Sequence, residues 1–158
     1  QLDEQKRRLA QVVDASGKDN RVRELKEDYF AWKSSTEYYL EQIKNEVLNR
    51  KFQQIIAAET DFLNGSEASI KRKTEELRSL TWEIRKKDLE YVTGIFLYYA
   101  FKEDAAYKDP KRVKQLKERG DAAIERKSVD ELLNLVYQMY ELLIDKQLDE
   151  PLKGTGLS

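Results

Sequence analysis

An all-α bundle of about five helices, with one long helix and a C-terminal helical hairpin, is the fold this sequence predicts. Three observations lead there. The 158 residues include only six Gly and two Pro, so turns are few. Glu, Lys, Leu, Arg and Gln, all good helix formers, are abundant. Apolar residues recur at alternating spacings of three and four, the period of one helix face. A chain of this length buries roughly two thirds of its unfolded surface, and we expect a single bundle over residues 1–148 with a flexible tail over 149–158.

The breaks set the elements. Ser16-Gly17-Lys18-Asp19-Asn20 combines a C-terminal Gly with side chains suited to capping the next helix, which ends a first helix at 1–15. A second, over 20–63, carries Val22, Leu25, Tyr29, Trp32, Thr36, Tyr39 and Ile43 on one heptad-like stripe. The register then fails, since the continuing positions are Glu46 and Arg50, and apolar residues reappear at Val47, Leu48, Phe52, Ile55 and Ile56. Such drift points to a change of partner along a helix about 65 Å long. Asn64-Gly65-Ser66 stops it.

A third helix is expected over 69–107. Its first half is amphipathic through Ile70, Leu77, Leu80 and Ile84. From Tyr91 to Phe101 it reads YVTGIFLYYAF, eleven residues without a charge. A helix apolar on every side must be covered on several, and Gly94 is expected to let a neighbouring helix approach closely. Lys108-Asp109-Pro110 starts a fourth helix over 110–126, with Asp109 as cap and Pro110 in the first turn. Ser128-Val129-Asp130-Glu131 has the capping-box pattern and starts a fifth over 129–148. The apolar faces of these last two, from Val113 to Ile124 and from Leu132 to Leu143, make a hairpin that could fold over the aromatic run.

Composition removes several chemistries. There is no Cys and no His, so thiol nucleophiles, disulfides, imidazole bases and thiolate or imidazole metal sites are excluded. Glu24, Glu27, Asp28 and Glu41, like Glu75-Glu76 and Glu103-Asp104, lack the His that bundle carboxylate sites use, and read as surface ion pairs. Gly154-Thr155-Gly156 has no strand before it or helix after it, so it is no phosphate loop. No enzyme activity, cofactor or metal is expected, and no catalytic residue is assigned.

With 29 basic and 30 acidic residues, no global field draws the chain to nucleic acid. The runs at Lys71-Arg72-Lys73, Arg85-Lys86-Lys87 and 111–119 read as solvated helix faces. No apolar run reaches the roughly 20 residues that span a bilayer, and no secretory signal opens the chain. We therefore expect a cytoplasmic protein with neither nucleic acid nor membrane as partner. The chain starts with Gln1 and not Met, which suggests a piece of something longer. Tyr29, Phe30, Trp32, Tyr38, Tyr39, Trp82, Tyr98, Tyr99, Tyr137 and Tyr140 are read as core with tyrosines at the rim. So many rings on few helices leave room for one exposed patch of the kind an interaction module uses.

A resemblance adds to this reading. Leu80-Thr-Trp82-Glu-Ile84-Arg, the run Ile95-Phe-Leu-Tyr-Tyr99, Tyr107-Lys-Asp109-Pro110, Leu116-Lys-Glu-Arg-Gly120-Asp-Ala-Ala123-Ile, and Leu133-Asn-Leu-Val136-Tyr-Gln-Met-Tyr-Glu-Leu142-Leu143 resemble, in order and spacing, the C-terminal helical region of bacterial DnaK-type (heat-shock seventy) chaperone homologues. The likeness runs over residues 70–143. It implies an upstream ATPase domain and a β-rich peptide-binding domain in the same parent chain. The helices here would then form a non-catalytic lid or interaction domain contacting clients or cochaperones. The alternative is a structural or adaptor bundle without a chaperone parent, a possible homodimer through the Val22–Ile43 seam.

Overall fold

The computed structural model describes residues 1–146 and 151–152. It is all-α, as expected: among the described residues, seven α-helices and one 3-10 turn follow one another and no strand is formed. The helices are α1 (Leu2–Ile43), α2 (Glu46–Ile56), α3 (Glu59–Leu63), α4 (Glu67–Arg85), α5 (Leu89–Ala100), α6 (Pro110–Glu125) and α7 (Val129–Glu141), with the 3-10 turn Asp104–Ala106 before α6. The chain divides into two compact units, Gln1–Thr81 and Trp82–Ser158, with the division inside α4.

In the first unit the break expected at Gly17 is absent, and α1 runs straight through it. A Cβ at Gly17 would touch nothing closer than the Arg21 guanidinium. A single Gly costs a helix only about 1 kcal/mol, too little to end it. The real break comes at Lys44, which adopts a left-handed conformation (φ 46°) and returns its N–H to the Leu40 carbonyl. Asn45 then caps α2 by accepting from the Leu48 N–H at 3.1 Å. The register failure at 46 and 50 is thus the end of a helix and not a drifting seam. A second left-handed residue, Ala58 (φ 57°), separates α2 from α3.

Tyr29 and Thr36 of the stripe from Val22 to Ile43 are used inside this unit, while Ile43 at its end is exposed. Tyr29 is buried, with its ring edge-on to Phe62 of α3 at 5.2 Å. Thr36 is buried 2.9 Å from Thr81 of α4, oxygen to oxygen. Each hydroxyl also lies within reach of its own helix carbonyl, Trp32 O at 2.7 Å and Leu77 O at 2.9 Å. Two protons cannot serve three contacts, so one of the three is always unmade. Ile70, Thr74, Leu77 and Leu80 form the buried face of α4. The first turns of α1 differ: Leu2, Leu9, Val12 and Val13 are well exposed. At 100° per residue they point away from the stripe that Tyr29 and Thr36 occupy.

In the second unit α7 packs on both α5 and α6, which also touch each other. The expected hairpin is present, and its faces are buried through Val113, Leu116 and Ala123 on one side and Leu132, Leu135, Val136 and Met139 on the other. α5 is a separate helix, because Asp88 caps a fresh start by accepting from the Glu90 and Tyr91 N–H groups. The continuous helix expected over 69–107 is therefore broken at 86–88. Ser128 sits at the start of α7 but makes no side-chain cap bond, and the Glu131 carboxylate, which would complete the box, is held by Arg126. The turn is closed from the other side. Lys127 is left-handed (φ 56°), and Lys127 N–H and Ser128 N–H bond the Ile124 and Ala123 carbonyls at 3.0 and 2.9 Å, a Schellman ending to α6.

The close helix approach occurs at Gly120 and not at Gly94. Open space lies over Gly94, whereas a Cβ on Gly120 would fall inside the Phe96 ring. Phe96 is one of the largest fully buried side chains. Around it Tyr107 donates to the Tyr99 carbonyl at 2.6 Å. A short antiparallel pairing, Lys108 N–H to Leu142 O at 2.8 Å and Ile144 N–H to Ala106 O at 3.0 Å, ties the turn before α6 to the end of α7. The tail expected from 149 lies mostly outside the described residues. Leu152, within it, is fully buried in this core and is no part of a loose tail.

Candidate functional site

The eleven-residue apolar run that opens the functional question is covered on one side only. Val92, Ile95, Phe96 and Tyr99 face inward and are buried. Gly94, Leu97, Tyr98 and Phe101 recur at the helix period on the other side. Leu97 is 40% exposed, Tyr98 42% and Phe101 83%. The expectation that the helix is wrapped all round holds for Phe96 and Tyr99 and fails for Phe101. The reason lies in the hairpin, whose two helices pack against the side of α5 that carries Val92, Ile95, Phe96 and Tyr99.

Along this outer face a shallow cavity of about 580 Å³ is lined by Glu90, Tyr91, Gly94, Ile95, Tyr98 and Pro151. Gly94 forms its floor because it has no side chain to fill the space. A cation rests on each ring beside it. The Arg85 guanidinium is 3.6 Å from the Tyr91 ring centre, and Lys102 Nζ is 4.8 Å from that of Tyr98. Such stacking fixes the rings at a stabilisation of about 1 kcal/mol each. Trp82 supports Tyr91 edge-on, their ring centres 6.3 Å apart. The result is a rigid aromatic surface with an open dent, the chemistry of a protein-contact patch.

The carboxylates weighed as metal or acid-base candidates do not assemble. Glu24, Glu27, Asp28 and Glu41 are exposed along α1. Glu75 pairs with Arg78 at 2.8 Å and Glu76 with Lys73 at 3.2 Å, as surface ion pairs. No cluster of three or more potential metal ligands occurs among the described residues. The basic run over 111–119 turns Val113 and Leu116 inward and most of its charges outward. No described helix is long and apolar enough to cross a membrane.

One polar cluster was not legible in the sequence. Glu59 Oε2 accepts from the Tyr29 hydroxyl at 2.7 Å and lies 2.7 Å from Lys33 Nζ. Only Tyr29 and Lys33, four apart on α1, share a signal in the sequence; Glu59 arrives through the left-handed turn at Ala58. Burial opposes ionisation of Glu59, but the hydrogen bonds from Lys33 and Tyr29 and the Lys33 charge outweigh it and hold the carboxyl below its ordinary value. Burial, followed by the Glu59 bond and charge, pushes the Tyr29 hydroxyl far above its own. A depressed carboxyl stabilises the fold above its unfolded pKa, and that stabilisation is lost as pH falls through the folded value. Glu59→Gln should therefore cost about 1–2 kcal/mol at neutral pH, and its gap from wild type should close as urea melts are taken below about pH 4.3. A gap independent of pH would show that the Glu59 charge contributes nothing.

No family model matches the chain, and no curated protein or solved structure matches it.

Proposed function

We propose that this chain is a non-catalytic helical interaction domain, the C-terminal helical region of a cytoplasmic DnaK-type chaperone homologue. Its outer α5 face contacts client or partner proteins. The observation that carries the reading is Phe101, 83% exposed on one stripe with Leu97, Tyr98 and Gly94. Leaving a ring of that size in water forgoes about 2 kcal/mol or more of burial, which a partner recovers by covering it.

The chaperone parentage is supported by which residues carry the resemblance. Phe96, Tyr99, Tyr107, Leu116, Gly120, Ala123, Val136 and Met139 are core positions of the second unit. The resemblance thus rests on positions that pack this unit more than on surface composition.

The test is a light-scattering assay in which a heat-denatured enzyme aggregates in the presence of this chain or of its Tyr98→Ser/Phe101→Ser variant. Wild type should delay aggregation. The variant should melt within about 1 kcal/mol of wild type, since exposed positions contribute little, and should lose most of the delay. No delay by wild type, or an equal delay by the variant, would remove the α5 face from the function.

A further inference from the structure

A second site lies in the groove between α6 and α7. It is a cavity of about 390 Å³ whose apolar wall is made by Tyr137 and Leu142 over the buried Leu116, and whose rim carries Arg112, Asn134, Gln138 and Glu141. The rim is organised by a chain of hydrogen bonds. The Arg112 guanidinium donates to Gln115 Oε1 at 3.1 Å and to Gln138 Oε1 at 3.4 Å. Gln138 Nε2 in turn donates to Asn134 Oδ1 at 2.7 Å.

The direction of this chain is forced. Arginine has donors only, so Gln138 must present its oxygen to Arg112 and its NH₂ to Asn134. Asn134 must then offer its own oxygen to Gln138, and its NH₂ is left pointing outward. The rim thus presents donors: the Asn134 NH₂ and the N–H groups of Arg112 that its two amide partners leave over. Charge runs the same way. Arg112 is paired with amides and with no carboxylate among the described residues, while the nearby Glu141 is neutralised by Lys146 at 2.8 Å. What completes the groove is an anionic acceptor attached to an apolar body.

We propose that the α6–α7 groove binds the C-terminal carboxylate of a peptide ending in an aliphatic residue. Arg112 and Asn134 hold the carboxylate, and the last side chain lies against the half-buried Tyr137 and Leu142. A monoanion matches the single guanidinium on the rim better than a phosphate does. A peptide terminus fits better than a free small acid for two reasons. The groove opens to water along the exposed Asn134 and Glu141, where a chain can leave. Glu141 keeps acceptor capacity for a backbone N–H, which a free acid lacks. The site is separate from the α5 face and stands or falls independently of it.

The test uses the full chain and three probes: acetyl-Gly-Val-Leu with a free carboxylate, the same peptide as its carboxamide, and isovalerate. Binding is read from the ¹H–¹⁵N resonances of the Arg112 Nε–H and the Asn134 side-chain amide. The free-acid peptide should shift both resonances saturably at millimolar concentration. Loss of the carboxylate charge in the carboxamide, or of the guanidinium in Arg112→Gln, should weaken binding about tenfold or more. Asn134→Leu, an exposed position whose change spares the fold, should weaken it too, and Phe101→Ser should leave it unchanged. Equal binding of the carboxamide, or an unaffected Arg112→Gln, would overturn the proposal. So would isovalerate binding as tightly as the peptide, which would give the groove to free acids, and so would the absence of any shift.

Discussion

Gly120→Ala is expected to destabilise the protein by about 2 kcal/mol, although the same change in an exposed helix stabilises it by about 1 kcal/mol. The sign is reversed by Phe96. The added methyl would occupy the space of its ring, and the ring is fully buried among Val92, Leu116 and Leu132 in the core that unites α5, α6 and α7. Protein interiors pack as densely as organic crystals, so the ring has nowhere to retreat without moving a helix. For a chain of this length the loss corresponds to a fall in melting temperature of roughly 4–8 °C. The explanation makes a second demand. Phe96→Leu, which removes the far edge of the ring, should cost less in the Gly120→Ala background than in wild type, because each change relieves the other. Additive losses, or a Gly120→Ala protein as stable as wild type, would mean that α5 and α6 do not meet at this point.

The fold class could be read from the sequence because helix-forming residues and spacings of three and four are local properties. The break at Asn64-Gly65-Ser66 and the Asp109-Pro110 start were legible for the same reason, since Gly and Pro restrict or free the backbone wherever they occur. The breaks at Lys44 and Ala58 were not. Both residues are left-handed without being Gly, and a conformation costing about 1–2 kcal/mol is held there by surrounding contacts that no local pattern records. Gly17 misled in the opposite sense. An isolated Gly weakens a helix by an amount that flanking turns easily offset, so its presence marks a possible end and not an actual one.

The candidate site divides along the same line. The apolar run over 91–101 led to the expectation of a helix covered on several sides, which Phe101 contradicts; room for an exposed patch was legible only from the number of rings in the whole chain. Which face of α5 stays bare depends on the two helices of the hairpin, and with every position apolar no periodicity distinguished Phe96 from Phe101. Gly94 and Gly120 were equally ambiguous as letters. The one that admits a neighbour is identified only when the Phe96 ring is seen against it. The Arg112 groove was hidden more deeply: its basic residue belongs to a run whose charges otherwise face water, and its amide partner Gln138 lies 26 residues away.

Phe96→Ala should be the most damaging single substitution in the second unit, at about 3–5 kcal/mol, and the contrast with Phe101→Ala gives the measurement its force. Both are phenylalanines of one apolar run, five residues apart. Phe96 is 1% exposed and Phe101 83%. Truncating Phe96 removes a ring from water-free surroundings and leaves a cavity that the neighbouring Gly120 cannot fill, because it has no side chain to move into it. Truncating Phe101 removes a ring that already lies in water, and should change stability by no more than about 0.5 kcal/mol. Urea melts of the two variants therefore separate the two sides of α5 directly. A small loss at Phe96 would mean that the hairpin does not close over this helix, and a large loss at Phe101 would mean that its ring is covered in solution. Either outcome would end the division of α5 into an inner face that builds the unit and an outer face available to a partner.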